Sequence, residues 1–272
     1  MPVEATDRSQ PFAWWGPPEW GSPAPMSIPR LIAAGNLDVP VAAILWALMH
    51  RRSSVILAAM PRLAGKSTLL TAMLDFLPPG VRRIYLRGTY EDFDFLESSQ
   101  PESSCLLVNE LSDHLPHYLW GAGALQALNL LSKGYSLAAT MHAESPQHLV
   151  SQLTEEVGAD RAMLARLTAI VNLYMQPGPA GANDEAVRRV DTITLLEPVG
   201  AGLGYVPAVR WEPDGDRFVI ESNAVESLAA RLGLDGSRLA QELRGREEHL
   251  EKALASTGEF QDAALAYSGP VA

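Results

Sequence analysis

The chain has 272 residues, 47% of them hydrophobic and 19% charged, with a net charge of -11 and one cysteine. This is the composition of a globular chain with a sizeable core, which excludes a disordered one, and its acidity argues against sequence-independent nucleic-acid binding, so no nucleic-acid partner is expected. Cys105 alone can form neither an internal disulfide nor a zinc site, which fits a reducing, cytoplasmic compartment.

Residues 1–29 are rich in proline and carry Trp14, Trp15 and Trp20 in "PFAWWGPPEWGSPAPMSIP". They read as an extended arm, folded on its own domain or on a neighbour, and they show no basic-then-apolar signal pattern. Next, "VPVAAILWALM" is about half of the roughly 20 residues that a membrane span needs. With Asp38 before it and Pro40 inside it, it reads as a buried core helix.

Residues 30–176 alternate strand-like and helix-like segments. "SVILAAM" is a short continuous apolar run, as in a strand covered on both faces. After a loop, Leu69, Leu70, Met73, Leu74 and Leu77 fall at helical spacing, and Pro78-Pro79-Gly80 ends that helix. "RRIYLR" and "SCLLVNEL" read as strands. "HYLWGAGALQALNLLSKG" reads as a helix stopped at Gly134, and "YSLAATMH" as another strand. Ser145 and Pro146 then mark the cap and first turn of a helix, and "TAIVNLYMQ" is a further strand. Alternation of this kind predicts an α/β fold with a mainly parallel sheet.

Residues 177–222 change texture. "RRVDTITLLEP" and "YVPAVRWEPDGDRFVIES", with the turn signal Asp214-Gly215, predict small antiparallel strands. Residues 223–272 read as C-terminal helices, broken at Gly233 and Gly258 and carrying solvated charges such as Glu247, Glu248, Glu251 and Lys252.

Chemistry concentrates in "AAMPRLAGKSTLL". "GKST", Gly65 to Thr68, follows a predicted strand and opens a helix, where unpartnered N–H groups point at an anion. Lys66 there reaches phosphates and Ser67 offers a hydroxyl to Mg²⁺. The competing reading is an ordinary strand-to-helix turn with a chance GKST. Met60 stands where the full pattern wants a glycine, so its side chain has to turn away. Glu110 ends an apolar strand, where a carboxylate can position water or hold Mg²⁺ directly or through a water. His142 ends the strand after it. Taken singly, Glu110 is also a solvated strand end and His142 a structural histidine. The joint order is what favours a site: strand–GKST–helix, strand–Glu, helix, strand–Thr-x-His, capped helix.

In this order the sequence resembles the type II/IV secretion ATPase superfamily, the hexameric motors of secretion systems and of type IV and tight-adherence pili. Pro61 and Gly65-Lys66-Ser67-Thr68 match its phosphate loop, Glu110 matches its Walker-B-like segment, and Thr140, His142 and Ser145 match its histidine box. Asn109 and Ser112 stand where that segment has glycine and arginine. A short arm stands where the family has an N-terminal domain. The resemblance implies a RecA-like P-loop NTPase core that uses ATP and Mg²⁺. Lys66, Glu110 and His142 would be catalytic, and Arg62, Leu63, Ala64, Gly65, Lys66, Ser67 and Thr68 would bind nucleotide. Ser67 and Glu110 would serve Mg²⁺, and Glu91 and Asp92 would be the acidic-box candidates. Arg82, Arg83 and Arg87 are candidates to complete a site between subunits, and each also reads as plain surface charge. The partners implied are five further copies in a homo-hexamer and a polytopic inner-membrane platform protein, at the cytoplasmic face of the membrane. The alternatives are a degenerate, weakly or non-hydrolysing P-loop homologue acting as scaffold or regulator of such a machine, and a small-molecule kinase, for which no lid or acceptor pocket is identifiable.

Overall fold

The computed structural model describes residues 26–178, 186–200 and 202–255. The tryptophan arm up to residue 25 and the chain beyond residue 255, with Gly258, lie outside them.

The elements are α1 (Ile28–Ala33), α2 (Val39–His50), β1 (Val55–Ala58), α3 (Lys66–Met73), β2 (Arg82–Tyr85), β3 (Ser104–Leu111), α4 (Gly121–Leu130), β4 (Ser136–Met141), α5 (Pro146–Glu155), α6 (Arg161–Leu164), β5 (Ala169–Gln176), β6 (Val187–Val199), β7 (Gly202–Glu212), β8 (Arg217–Ile220), α7 (Ala224–Leu232) and α8 (Gly236–Ala255). One eight-stranded sheet runs in the order β2-β3-β4-β1-β5-β6-β7-β8. The first five strands are parallel, and β6 to β8 add to them antiparallel. The fold is the α/β one expected, with a mainly parallel core and an antiparallel extension.

β1 and β4, in the middle of the parallel half, are buried on both faces, which is why they read as continuous apolar runs. Leu57, Leu107 and Val171 face the cluster formed with α1, α2, α3, α7 and α8, while Ile56, Leu106 and Ile170 face the cluster under α4, α5 and α6. α2 is the apolar segment too short for a membrane. Val41 through Met49 are all buried, and Asp38 caps its start by accepting from the Val41 amide at 2.9 Å. Among the described residues no helix is long and apolar enough to cross a membrane. Ser145 caps α5 as its sequence position predicts, accepting from the His148 amide. Gly134 and Gly233 close their helical segments in the left-handed conformation.

Parallel strands put all their carboxyl ends on one edge. The loops after β1, β2, β3 and β4 therefore meet there, which is where open α/β sheets bind ligands.

Candidate functional site

β4 lies between β3 and β1. A residue just past β4 is therefore flanked by the end of β3 on one side and by the loop after β1 on the other. His142 holds that position, Glu110 is the penultimate residue of β3, and Lys66 opens α3 after the β1 loop.

The three side chains converge. Lys66 Nζ is 3.2 Å from His142 Nε2 and 3.9 Å from Glu110 Oε2, and His142 Nε2 is 3.1 Å from Glu110 Oε1. Lys66 is 7% exposed and the Glu110 side chain 9%, so both charges sit largely out of water. Although His142 stands at ion-pair distance, no donor is aligned on Glu110 Oε1, which is buried without a hydrogen bond. His142 Nδ1 lies 3.1 Å from the Met60 carbonyl. A carbonyl only accepts, so Nδ1 carries the hydrogen in this contact, and Nε2 is free to accept from Lys66. Lys66 Nζ also lies 3.4 Å from Nδ1, so the ammonium sits against both ring nitrogens while Nε2 faces Glu110.

The electrostatics follow from burial. Burial pushes the Lys66 ammonium below its ordinary value, with Glu110 opposing. Burial pushes the Glu110 carboxyl up, but His142, Lys66 and the charge of His114 outweigh it and hold the group below the usual carboxylate range.

The backbone aims Glu110. The β3–β4 register slips between Val108 and Leu111, and buried Thr140 donates from Oγ1 to the Asn109 carbonyl at 2.5 Å. A bulge of this kind re-aims a strand-end side chain. Asn109 and Ser112, the two departures in this segment, sit on either side of the glutamate. Ser112 Oγ contacts His114 Nδ1 at 3.0 Å. The loop that follows folds back beside the site, with the Leu119 amide donating to the Glu110 carbonyl.

The loop after β1 resolves the question that Met60 raises. Its side chain is 45% exposed, turned to solvent as such a loop requires. Among the described residues Met60 is not one of those with positive φ. The departure with a conformational cost is Leu63, at φ 63 with its side chain 61% exposed. A left-handed backbone costs a non-glycine residue about 1–2 kcal/mol. Gly65 is left-handed at φ 93 and caps α3 without a side-chain hydrogen bond, which leaves the first-turn amides open to an anion. Ala64 is buried in the core, Ser67 is half-buried, and Arg62 and Thr68 are exposed. Among the described residues none bonds the Ser67 hydroxyl.

The other candidates make contacts of their own. Glu91 spends both carboxylate oxygens on its own loop, accepting from the Arg87 amide at 2.9 Å and the Phe93 amide at 2.7 Å. Asp92 accepts from the Asp94 amide. Arg82 and Arg83 begin β2, at the opposite edge of the sheet from Glu110. They bond the carbonyls of Ser98 and Leu74. Arg87, just past β2, is buried at the carboxyl edge. A residue that no motif singles out does touch the loop: Arg188 Nε donates to the Leu63 carbonyl at 2.8 Å. The only sequence sign of it is the arginine pair opening "RRVDTITLLEP".

The group the resemblance implies, Mg·ATP, fits the residues present. Uncapped helix amides, a buried lysine, an unbonded serine hydroxyl and a carboxylate oxygen without an aligned donor face one edge.

No protein-family model matches the chain. It is 25% identical over 259 residues to an uncharacterized protein of Methanocaldococcus jannaschii, covering 85% of this chain and 93% of that one. Among solved structures it is similar to the VirB11 ATPase of the Brucella suis type IV secretion system, with a TM-score of 0.40 and 16% identity over 58% of this chain. It is also similar to the ATPase DotB of Legionella pneumophila, with a TM-score of 0.37 and 14% identity over 82% of this chain. The chain spans 53% and 59% of those two solved chains.

Proposed function

We propose that the protein binds and hydrolyses ATP at the carboxyl edge of its sheet, as a secretion- or pilus-type motor subunit. The observation that carries this is the convergence of Lys66 at the start of α3, Glu110 near the end of β3 and His142 just past β4 into one largely buried contact set. Burying a lysine and a glutamate is costly, and the contact leaves a carboxylate oxygen without an aligned donor, so fold stability does not explain it.

In this reading the first-turn amides of α3 and the Lys66 ammonium bind the phosphates. Phosphate oxygens compete with Glu110 and His142 for Lys66, so binding frees the other two. Glu110 then orients water and takes its proton at Oε1. His142 ties the Met60 carbonyl of the loop to both charged groups and registers what Lys66 holds. Ser67 and Glu110 serve the metal, directly or through a water. Bound Mg²⁺ supplies Lewis-acid stabilisation of phosphoryl charge. Glu91 and Asp92 shape the neighbouring loop. The working unit is a homo-hexamer that meets a polytopic platform protein at the cytoplasmic face of the inner membrane, and nucleic acid is not its substrate.

Leu63 favours a second reading. An exposed leucine held left-handed in the phosphate loop suits a homologue that no longer turns over and serves as scaffold or regulator. One experiment separates the two. A motor shows Mg·ATP-dependent thermal stabilisation and ATPase turnover, both lost in Lys66→Ala, whereas a scaffold shows neither in the wild type. Wild-type turnover no higher than that of Lys66→Ala ends the motor reading.

A further inference from the structure

Leu63 is held left-handed with its side chain 61% exposed. Something outside the loop must stabilise it. We infer that Arg188 is a positioning residue that clamps the phosphate loop through the Leu63 carbonyl and so ties loop conformation to the antiparallel half of the sheet.

Three observations converge on this. Arg188 Nε donates to the Leu63 carbonyl at 2.8 Å, across 125 positions of sequence. The Arg188 stem meets the loop two residues further on, with Cδ 3.6 Å from where a Cβ on Gly65 would stand. The pairing of β5 with β6 places Arg188 opposite Met175, three residues beyond Asn172, which pairs with Ala58 at the end of β1. The β5–β6 ribbon therefore overhangs the edge at which the loop begins. A bond from a cationic donor to the carbonyl of the strained residue offsets the cost of leucine where a glycine would need no help. β6 then runs through Ile193 and Leu195 into the cluster shared with α7 and α8, so a shift of this strand reaches the loop without passing through the charged cluster.

The role of the clamp in preparing the loop for phosphate rests on the nucleotide reading, but the clamp itself can be tested without nucleotide. Trypsin cleavage after exposed Arg62 reports how often the loop opens. In the full chain Arg188→Ala speeds that cleavage by about tenfold, since a charged hydrogen bond is lost, while the global unfolding midpoint moves little. Arg188→Lys, which lacks the Nε donor, recovers only part. In a Leu63→Gly background the Arg188→Ala increment shrinks to about twofold or less, because glycine is left-handed unaided. Unchanged cleavage in Arg188→Ala, or increments that simply add in the double variant, overturns the clamp. With Mg·ATP as probe, Arg188→Ala raises KM severalfold and leaves kcat near wild type. A wild type that binds no Mg·ATP sinks the nucleotide reading, and the cleavage assay still decides the clamp.

Discussion

In the antiparallel half of the sheet, charges pair off at the surface. Arg210 lies against Glu212 and Glu221, Arg217 against Glu212, and Arg189 against Asp216. In the parallel half, Lys66 and Glu110 are withdrawn from water and share one histidine. The surface pairs can be broken at little cost because water replaces either partner. The buried set has no such replacement and still leaves Glu110 Oε1 without an aligned donor. Charge that is costly to hold and imperfectly paired marks the half in which the proposed chemistry lies. Charge that is neatly paired marks the half that supports it.

The sharpest way to break this contrast is to neutralise one glutamate in each half. Glu110→Gln keeps the shape but removes the proton acceptor, and ATPase turnover is expected to fall about 100- to 1000-fold while the Mg·ATP thermal shift persists. Glu212→Gln, which removes a carboxylate shared by Arg210 and Arg217, should leave turnover within about twofold. Steady-state kinetics on both variants decides. Equal losses would mean that burial does not distinguish the two halves.

A second contrast concerns glycines. Gly88, in the loop after β2, has φ +62, and a Cβ there would stand 2.4 Å from the His117 carbonyl carbon. Gly215, in the β7–β8 hairpin, has φ +132 with nothing within 4 Å. Gly88→Ala meets both backbone strain and a collision, and should cost about 2–4 kcal/mol. Gly215→Ala meets strain alone, at about 1–2 kcal/mol. Urea midpoints of the two variants measure the difference. Equal costs would show that the loops at the site edge are no more tightly packed together than a surface turn.

The sequence made much of the parallel half legible because β1, β3 and β4 are apolar runs and α5 carries local punctuation, whereas β2 opens on Arg82 and Arg83. "SCLLVNEL" is β3 residue for residue, and Ser145 caps α5 as its position requires. Lys66, Glu110 and His142 were legible for a related reason. Glu110 and His142 stand at or just past the end of such a run, Lys66 opens the helix after the loop that follows one, and the parallel topology does the gathering. What the sequence hid depends on long-range geometry. Met60 drew attention as the missing glycine, yet Leu63 is the position with positive φ, and dihedral angles are not written in a motif. Arg188 reaches the loop only because β6 pairs antiparallel beside β5, a register that neither strand specifies alone.

The smallest expected effect tests whether exposure governs how these charges behave. The Arg189 guanidinium and the Trp211 indole hold the Asp216 carboxyl down at about 2. Its ordinary value is about 3.9, so the unfolded chain binds this proton more readily than the folded one. The stabilisation is therefore complete above roughly pH 5 and is lost as pH falls toward about 2. Asp216→Asn should remove that acid-dependent part of the stability curve. Its size is under about 1 kcal/mol, because the side chain is 55% exposed and screened. Glu110 is also held below its ordinary value, so its contribution has the same sign and is likewise lost on acidification. The two differ in their response to salt. Raising ionic strength to about 1 M, where the screening length is about 3 Å, should flatten the acid limb removed by Asp216→Asn and leave the one removed by Glu110→Gln largely intact. Thermal denaturation across pH at two salt concentrations gives both limbs, and equal salt sensitivity would place Glu110 in the same solvent-screened class as Asp216.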